Sequence, residues 1–484
     1  MMDKDLLQNE IQSQRKKNQA AVEFIKIVND LWYEDSTELI LFRNQLIDKS
    51  VAEIHGLIDY STKFIGKPIT IQDVLDMAKT IKELNLPSAR LDVGKLTYEY
   101  LEQQEKGGEK MADFVKKELR GIHDTPKPTP RDVVLYGFGR IGRLAARILA
   151  SKVDNQNQLR LRAIVIRGEL TPENIHKRAS LLRNDSVHGD FRGTVVAVPE
   201  QRALIINGMT VYLINANSPD EVDYTEYGIN DAIVIDNTGV WRDTTGLSQH
   251  LKSKGVAKVI LTAPGKDSIP NIVYGVNHLD FSPDDTDIFS AASCTTNAII
   301  PILRVIEDAY GVEKGHIETI HAYTNDQNLV DNYHKKYRRG RGAATNMVIT
   351  ETGAGKAVAK AIPELAGKFT SNAIRVPVPN GSLVILNIKL KKKTDLEHLK
   401  DTVKQAALNG KLVEQIKYAV SNELVSSDIV GVSAASIFDS NASIVTEDGE
   451  DAILYVWYDN EYGYTQQVIR LAKYIGKVRR FHHY

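Results

Sequence analysis

Gly137, Gly139 and Gly142 stand at G-x-G-x-x-G spacing between the apolar run "VVLY" and the helical "RLAARILA". A strand, a tight turn and a helix in that order restrict the fold more than any other stretch of this chain. The first glycine permits the turn and the second lets the backbone approach a pyrophosphate. The third allows close helix–strand contact, and the helix N-terminus favours anionic phosphates. The spacing alone also fits a plain tight turn, but its context favours dinucleotide binding. "LRLRAIVIR", "DAIVIDNTG" and "AKVILTAPG" repeat the strand signal, each followed by turn residues. Together they predict an α/β, Rossmann-type, doubly wound parallel sheet. The acidic residue expected at the end of the second strand is missing. "AIVIRGEL" puts Arg167 and Gly168 there, with Glu169 just beyond. Arg167 reads equally well as a solvated loop charge.

Cys294 is the one cysteine in 484 residues, and it lies in "SAASCTTNAI". A structural cysteine usually sits among aliphatic residues, whereas this one is flanked by Ser293, Thr295, Thr296 and Asn297. The preceding "DIFSAAS" reads as a strand and the following "TTNAIIPILRVIEDAYG" as a helix, with a local bend expected at Pro301. A thiol at a helix N-terminus has its pKa lowered by the dipole. Its polar neighbours can donate to an oxyanion. A nucleophilic thiol needs a base. His321, on "HIETIHAYT", is the best candidate, sharing a strand face with Ile317, Thr319 and Tyr323. A buried thiol and a half-buried histidine are the alternatives.

The length predicts about three domains. Residues 1–125 read as an all-α N-terminal region. Phe24, Ile25, Val28, Leu31 and Trp32 form one stripe, and Leu39, Phe42, Leu46, Ile47, Ile54 and Leu57 continue it. Thr70 with Asp73 is an N-cap signal. Residues 126–131, with Pro126, Pro128 and Pro130, read as an extended linker. Residues 132–293 are the expected dinucleotide-binding domain, with about 460–484 packing back on it. Residues 294–459 are the expected α+β catalytic domain, because "HIETIHAYT", "AIRVPVPNGSLVILNIKLKK" and "ILYVWYDN" are longer, alternating strands. A net charge of -1 gives no reason to invoke nucleic acid or anionic membrane. One cysteine excludes intrachain disulfides and a multi-cysteine metal site, and suits a reducing compartment. No apolar signal core opens the sequence and no run is long enough to span a bilayer. A cytoplasmic protein without a metal is expected.

From Asp132 onward the chain resembles phosphorylating glyceraldehyde-3-phosphate dehydrogenases. "GFGRIGR", "DSVHG" (185–189), "SAASCTTNAI", "HAYTNDQ", "TETGAGKAVAKAIPEL", "AIRVP" and "WYDNEYGY" occur in the family's order. The resemblance implies that Cys294 is the nucleophile and His321 its base. It implies that Thr324 and Arg375 bind the substrate phosphate, that Ser293, Thr352 and Gly353 bind the attacking phosphate, and that Thr295, beside the thiol, belongs to the same substrate- and phosphate-binding set. The backbone of Arg140 and Ile141 would meet the pyrophosphate. Thr238, Gly239 and Thr262 would line the cofactor, Asn460 would bond the nicotinamide carboxamide, and Tyr464 would lie near it. The implied substrates are glyceraldehyde 3-phosphate and inorganic phosphate, and the implied assembly is a homotetramer. Erythrose-4-phosphate dehydrogenase, with water as acceptor, shares the fold and the Cys–His pair. A cofactor-binding scaffold is a reading of another class. Ala298 replaces the usual second cysteine, Tyr462 an aromatic of another kind, and Gly381 is expected to loosen a loop. The N-terminal region is expected to fold and to serve assembly, regulation or a protein partner. Arg167 points to NAD with NADP also accepted, because an arginine suits a 2′-phosphate.

Overall fold

The computed structural model describes residues 4–125, 128–151 and 158–484, the side chains of 4–6 excepted. Pro126, in the expected linker, lies outside the described residues, and Arg131 already opens a strand. The chain forms two compact units. One is Met1–Thr129 together with Arg479–Tyr484, and the other is Pro130–Val478.

The first unit contains helices α1 (Lys4–Tyr33), α2 (Val51–Ile65), α3 (Ile71–Glu83), α4 (Val93–Gln104) and α5 (Met111–Glu118). The all-α expectation for residues 1–125 needs correction here. Strands β1 (Glu38–Leu41), β2 (Asn44–Gln45) and β3 (Ala89–Asp92) join β20 (Phe481–His483) in a four-stranded sheet ordered β2-β1-β3-β20. All four residues of β1 are buried, so its continuous apolar run matches a buried helix equally well. Positive φ at Ser36, Phe42, Arg43 and Asp48 ends any helix there. The cap signal holds, since Thr70 accepts from Asp73 N–H and Asp73 accepts from Thr70 N–H. The last six residues depart from the expected packing on the dinucleotide domain, because β20 pairs in parallel with β3.

The second unit has two sheets. The first is built from β4 (Arg131–Tyr136), β5 (Leu159–Ile166), β6 (Val195–Val198), β7 (Ala203–Ile206), β8 (Met209–Asn215), β9 (Ala232–Asp236), β10 (Val256–Leu261) and β11 (Ile288–Ser290). Their order is β11-β10-β9-β4-β5-β8-β7-β6. The six strands from β11 to β8 are parallel, and β7 and β6 extend the edge antiparallel. The chain starts at the centre and leaves β4 in both directions, so the crevice at the carboxyl ends of β4 and β9 is a topological switch point. Helices α6 (Arg140–Ser151), α7 (Pro172–Arg183) and the short α8 (Thr244–Leu247) connect these strands. Val133, Leu135, Ile148, Ile164, Leu182, Val468 and Ile475 share one buried cluster on this sheet. The last two lie on α12 (Tyr462–Ile475), which packs on α6.

The second sheet runs β13-β14-β12-β15-β19-β17-β16, with β18 (Ile444–Val445) on β19. Its strands are β12 (Val312–Ala322), β13 (Val348–Thr350), β14 (Phe369–Val376), β15 (Ser382–Leu390), β16 (Ile416–Ala419), β17 (Ser436–Asp439) and β19 (Asp451–Tyr458). Helices α9 (Cys294–Tyr310), α10 (Ala354–Ala361) and α11 (Leu396–Leu408) accompany it. Gly381, expected to loosen a loop, does the opposite. Its φ is 86° and a Cβ there would lie 2.2 Å from the Ser426 carbonyl oxygen, so glycine permits a tight approach.

Asp92 organises the first unit. Its fully buried carboxylate accepts from Phe42 N–H (2.8 Å), Arg43 N–H (3.1 Å), the Arg43 guanidinium (3.1 Å) and Lys95 N–H (3.0 Å). It thereby holds the left-handed pair at Phe42 and Arg43 and caps α4. Asp92→Ala strands these donors and is expected to cost about 3–5 kcal/mol. Calorimetry combined with limited proteolysis of residues 1–129 should show a large drop in protection. Wild-type protection in the variant would remove Asp92 from this role.

Candidate active site

The turn between β4 and α6 has the geometry that phosphate approach requires. Gly137 has φ 96°, and a Cβ on Gly142 would lie 2.3 Å from the Gly137 carbonyl oxygen. A Cβ on Gly139 meets nothing within 4 Å. Thus Gly142 is required for packing, while Gly139 leaves its backbone face open. Arg140 and Ile141 open α6, where backbone N–H groups have no helical acceptor. Asn237, across the crevice, has a buried Oδ1 with no hydrogen bond. These features fit a dinucleotide.

The Arg140 side chain has a separate task. It donates to Asp185 (2.9 and 3.1 Å) and Glu461 (2.5 and 2.6 Å), and His188 Nε2 lies 2.9 Å from Glu461. Asp185 also accepts from Val187 and His188 N–H. Burial would raise its pKa, but Arg140 and the two amides hold it below the usual carboxylate range. The "DSVHG" segment therefore ties the residue after Asn460 to the start of α6. Sequence reading assigned no role to this network.

Across the switch point, Asp236 accepts from Thr238 N–H and Oγ1–H, both at 2.7 Å, and lies 3.1 Å from His250 Nε2. Thr262 Oγ1 donates to the Asp236 carbonyl, and Gly239 turns at φ 63°. Arg167 is exposed just past β5, with its guanidinium 5.3 Å from the centre of the Trp241 ring.

Cys294 is half-buried at the first residue of α9. Ala292 takes φ 54° just before it, a strained value for a residue with a side chain. Ser293 caps the helix by accepting from Thr296 N–H, and its Oγ lies 2.7 Å from Thr296 Oγ1. Asn297, expected to donate to an oxyanion, has both N–H groups engaged by the Ala291 and Ser293 carbonyls at 2.9 Å. It fixes the junction instead. The helix continues through Pro301.

His321 Nε2 lies 3.5 Å from Cys294 Sγ. Its Nδ1 is 2.7 Å from the Ala322 carbonyl and 2.7 Å from Arg375 Nη1. One ring nitrogen cannot donate to the carbonyl and accept from the guanidinium at once. A base facing sulfur needs a free Nε2, so Nδ1–H donates to Ala322 and Arg375 donates to the same carbonyl at 2.9 Å. Burial and Arg375 push the imidazole down to about 3. Burial pushes the thiol up, against Arg375 and the Thr295 donors. The resting pair is thus thiol and neutral imidazole.

Arg375 is brought beside His321 by register, since the two are partners across β14 and β12. Its Nε is buried without a hydrogen bond. Thr324 donates to Asp326, which also pairs with Arg339. Thr352 accepts from Ala354 N–H, and Gly353 caps α10 with open space at its Cα. Thr295 Oγ1 lies 3.0 Å from the Tyr458 hydroxyl, which is 2.8 Å from Thr319 Oγ1. Ser382 Oγ donates to Asn460 Oδ1, and Tyr464 donates to the Ala292 carbonyl. Tyr458, Asp326 and Arg339 were missed in sequence. The positions of Tyr458 inside "WYDN" and of Asp326 inside "HAYTNDQ" were their sequence signals.

The family descriptions "Glyceraldehyde 3-phosphate dehydrogenase, NAD binding domain" and "Glyceraldehyde 3-phosphate dehydrogenase, C-terminal domain" match residues 131–244 and 293–460. A "Glyceraldehyde-3-phosphate dehydrogenase-like protein" of Pseudomonas aeruginosa is 46% identical over 454 residues, covering 93% of this chain and 97% of its own. The chain belongs to the glyceraldehyde-3-phosphate dehydrogenase family. The enzymes of that name from Ogataea parapolymorpha and Clostridium pasteurianum are 40% and 38% identical, each covering 72% of this chain and 98% and 99% of their own. The Pseudomonas alignment is long enough to include much of the N-terminal unit. This family member is an NAD-dependent oxidoreductase.

Arg375 lowers the pKa of both Cys294 and His321. Arg375→Leu removes that charge, so both values rise. The pH inflection for alkylation of Cys294 by iodoacetamide should move to higher pH. No movement, or movement downward, would contradict the charge reading.

Proposed function

We propose that this chain oxidises D-glyceraldehyde 3-phosphate to 1,3-bisphosphoglycerate, reversibly, with inorganic phosphate as acyl acceptor. The observation that carries this reading is the 3.5 Å approach of His321 Nε2 to Cys294 Sγ beside the guanidinium of Arg375. His321 takes the thiol proton, and the thiolate attacks the aldehyde carbon. The resulting alkoxide is reprotonated from His321 to give a thiohemiacetal on Cys294. NAD, when bound, supplies the hydride acceptor. His321 takes the hydroxyl proton as that carbon is oxidised, leaving a thioester on Cys294. Phosphate attacks the thioester carbonyl and Cys294 leaves as thiolate.

Thr324 and Arg375 hold the substrate phosphate, and the unbonded Nε of Arg375 supports this. Ser293, Thr352 and Gly353 hold the attacking phosphate, with hydroxyls and a helix-start amide as donors. Gly137, Gly139, Arg140, Ile141 and Gly142 hold the pyrophosphate. Thr238, Gly239 and Thr262 line the cofactor, and Tyr464 buttresses the junction below it. The Asn460 carbonyl is engaged by Ser382, so its NH2 group remains to bond the carboxamide.

The assembly we propose is a homotetramer. Leu329, Val330, Tyr333, Tyr337 and Met347 are each at least 70% exposed, and a neighbouring subunit would cover such a segment. The N-terminal unit contributes no catalytic side chain and serves assembly, regulation or a protein partner. No helix among the described residues is long and apolar enough to cross a membrane. A reducing, cytoplasmic setting suits the single thiol.

Cys294→Ser should abolish turnover while keeping NAD affinity within about tenfold. His321→Asn should slow it by roughly 10²–10⁴. In the wild type, aldehyde oxidation should depend on added phosphate. Equal rates without phosphate, or faster turnover of erythrose 4-phosphate, would favour a water-using tetrose enzyme.

Arg167 bears on the choice between NAD and NADP. It lies where the second strand ends and carries the charge that a 2′-phosphate seeks. Arg167→Asp should weaken NADP more than NAD, by about 1–3 kcal/mol, as measured by titration of the purified protein. Equal losses for both cofactors would mean that Arg167 does not read the 2′ position.

A further inference from the structure

We propose a divalent-cation site in the first unit, formed by Glu99, Glu118 and His483. The three come from α4, α5 and β20, and one ligand atom from each lies within 4.8 Å of the other two. Two buried atoms in the group have no hydrogen bond, Glu99 Oε2 and His483 Nδ1. A buried polar atom without a partner carries a desolvation cost that a ligand would remove. Here two such atoms belong to residue types that ligate metals.

The surroundings favour this reading over a closed ion pair. The cation beside Glu99 is Lys95, whose Nζ is 3.5 Å from Glu99 Oε1 and donates to the Tyr484 carbonyl at 2.5 Å, while Arg43 is paired with Asp92. It faces the other oxygen of Glu99 and leaves Oε2 unbonded. One ammonium against two carboxylates leaves a net negative charge for a cation to neutralise. The location fits as well. Strands β1, β3 and β20 are parallel, Glu99 lies on the helix that starts where β3 ends, and His483 closes β20. Ligands collect at the carboxyl ends of parallel strands.

Two carboxylates and an imidazole suit a first-row divalent ion such as zinc, with water completing the shell. Zinc–ligand bonds of about 2.0–2.2 Å place tetrahedral ligand atoms about 3.4 Å apart. Side-chain rotation supplies the contraction from the present spacing. A bound ion would pin β20 to α4 and α5, so the end of the chain would be held by metal as well as by its pairing to β3.

The test uses the full chain carrying Cys294→Ser, so that the active-site thiol cannot hold the probe. After equilibration with zinc and gel filtration, elemental analysis should find about one zinc per chain. Adding His483→Gln or Glu118→Gln should each reduce this at least tenfold, with circular dichroism verifying the fold. Should the His483 variant fail to fold, the Glu118 variant decides. A chain that retains no zinc overturns the proposal. So does one whose zinc survives the decisive substitution, since that ion would belong to another place.

Discussion

Asn297 donates one side-chain N–H to the Ala291 carbonyl and the other to the Ser293 carbonyl, both at 2.9 Å. These bonds close the backbone around Ala292 and allow its left-handed φ of 54°. The thiol depends on that closure. It brings Cys294 out at the first turn of α9, with the Ser293 cap below it and β12 alongside. Tyr464 adds a third restraint from α12 by donating to the Ala292 carbonyl. Strain at a functional turn persists only where surrounding bonds over-determine it, and here three side-chain donors do so.

The rest of the site is placed by register. His321 and Arg375 meet because β12 and β14 are parallel neighbours in which these residues are partners. A one-residue slip of β14 would turn Arg375 to the other face, away from His321. Ser382, at the start of β15, accepts from Ala322 N–H and donates to Asn460, so it couples the base strand to the segment after β19. Arg140 and Glu461 carry the coupling on to the glycine turn. A continuous set of short polar contacts thus joins the thiol's neighbourhood to the dinucleotide side.

The glycine turn and the placing of Cys294 at a helix start were legible because each rests on local chemistry. A tight turn needs glycine at fixed offsets, and a nucleophile at a helix start needs small polar neighbours. The capping box at Thr70 was legible for the same reason. The failures are equally physical. β1 is buried on both faces, so no alternation marks it as a strand. Strand β20, the neighbour of β3, lies at the far end of the chain, and no local pattern reports a pairing of that span. Asn297 looked like a donor to substrate because sequence cannot show that its hydrogens are already engaged. Gly381 looked loose because the Ser426 carbonyl that excludes a Cβ lies in a distant segment.

The opposing effects of Arg375 would give it a second consequence in the proposed reaction, beyond the proposed holding of phosphate. Its charge favours the thiolate but disfavours the protonated imidazole that thiolate formation requires. In the ligand-free protein these effects meet at the same pair, and burial penalises both charged forms. In that reaction a substrate phosphate on Arg375 would bring negative charge beside the guanidinium. That charge would offset the suppression of His321 by Arg375 and let the imidazole accept a proton more readily. The thiolate then leans on the positive end of α9 and on the imidazolium itself. In the proposed reaction, binding the phosphorylated end of the substrate would therefore also prepare His321, and the Ala322 carbonyl can accept from Nδ1–H in either state of the ring.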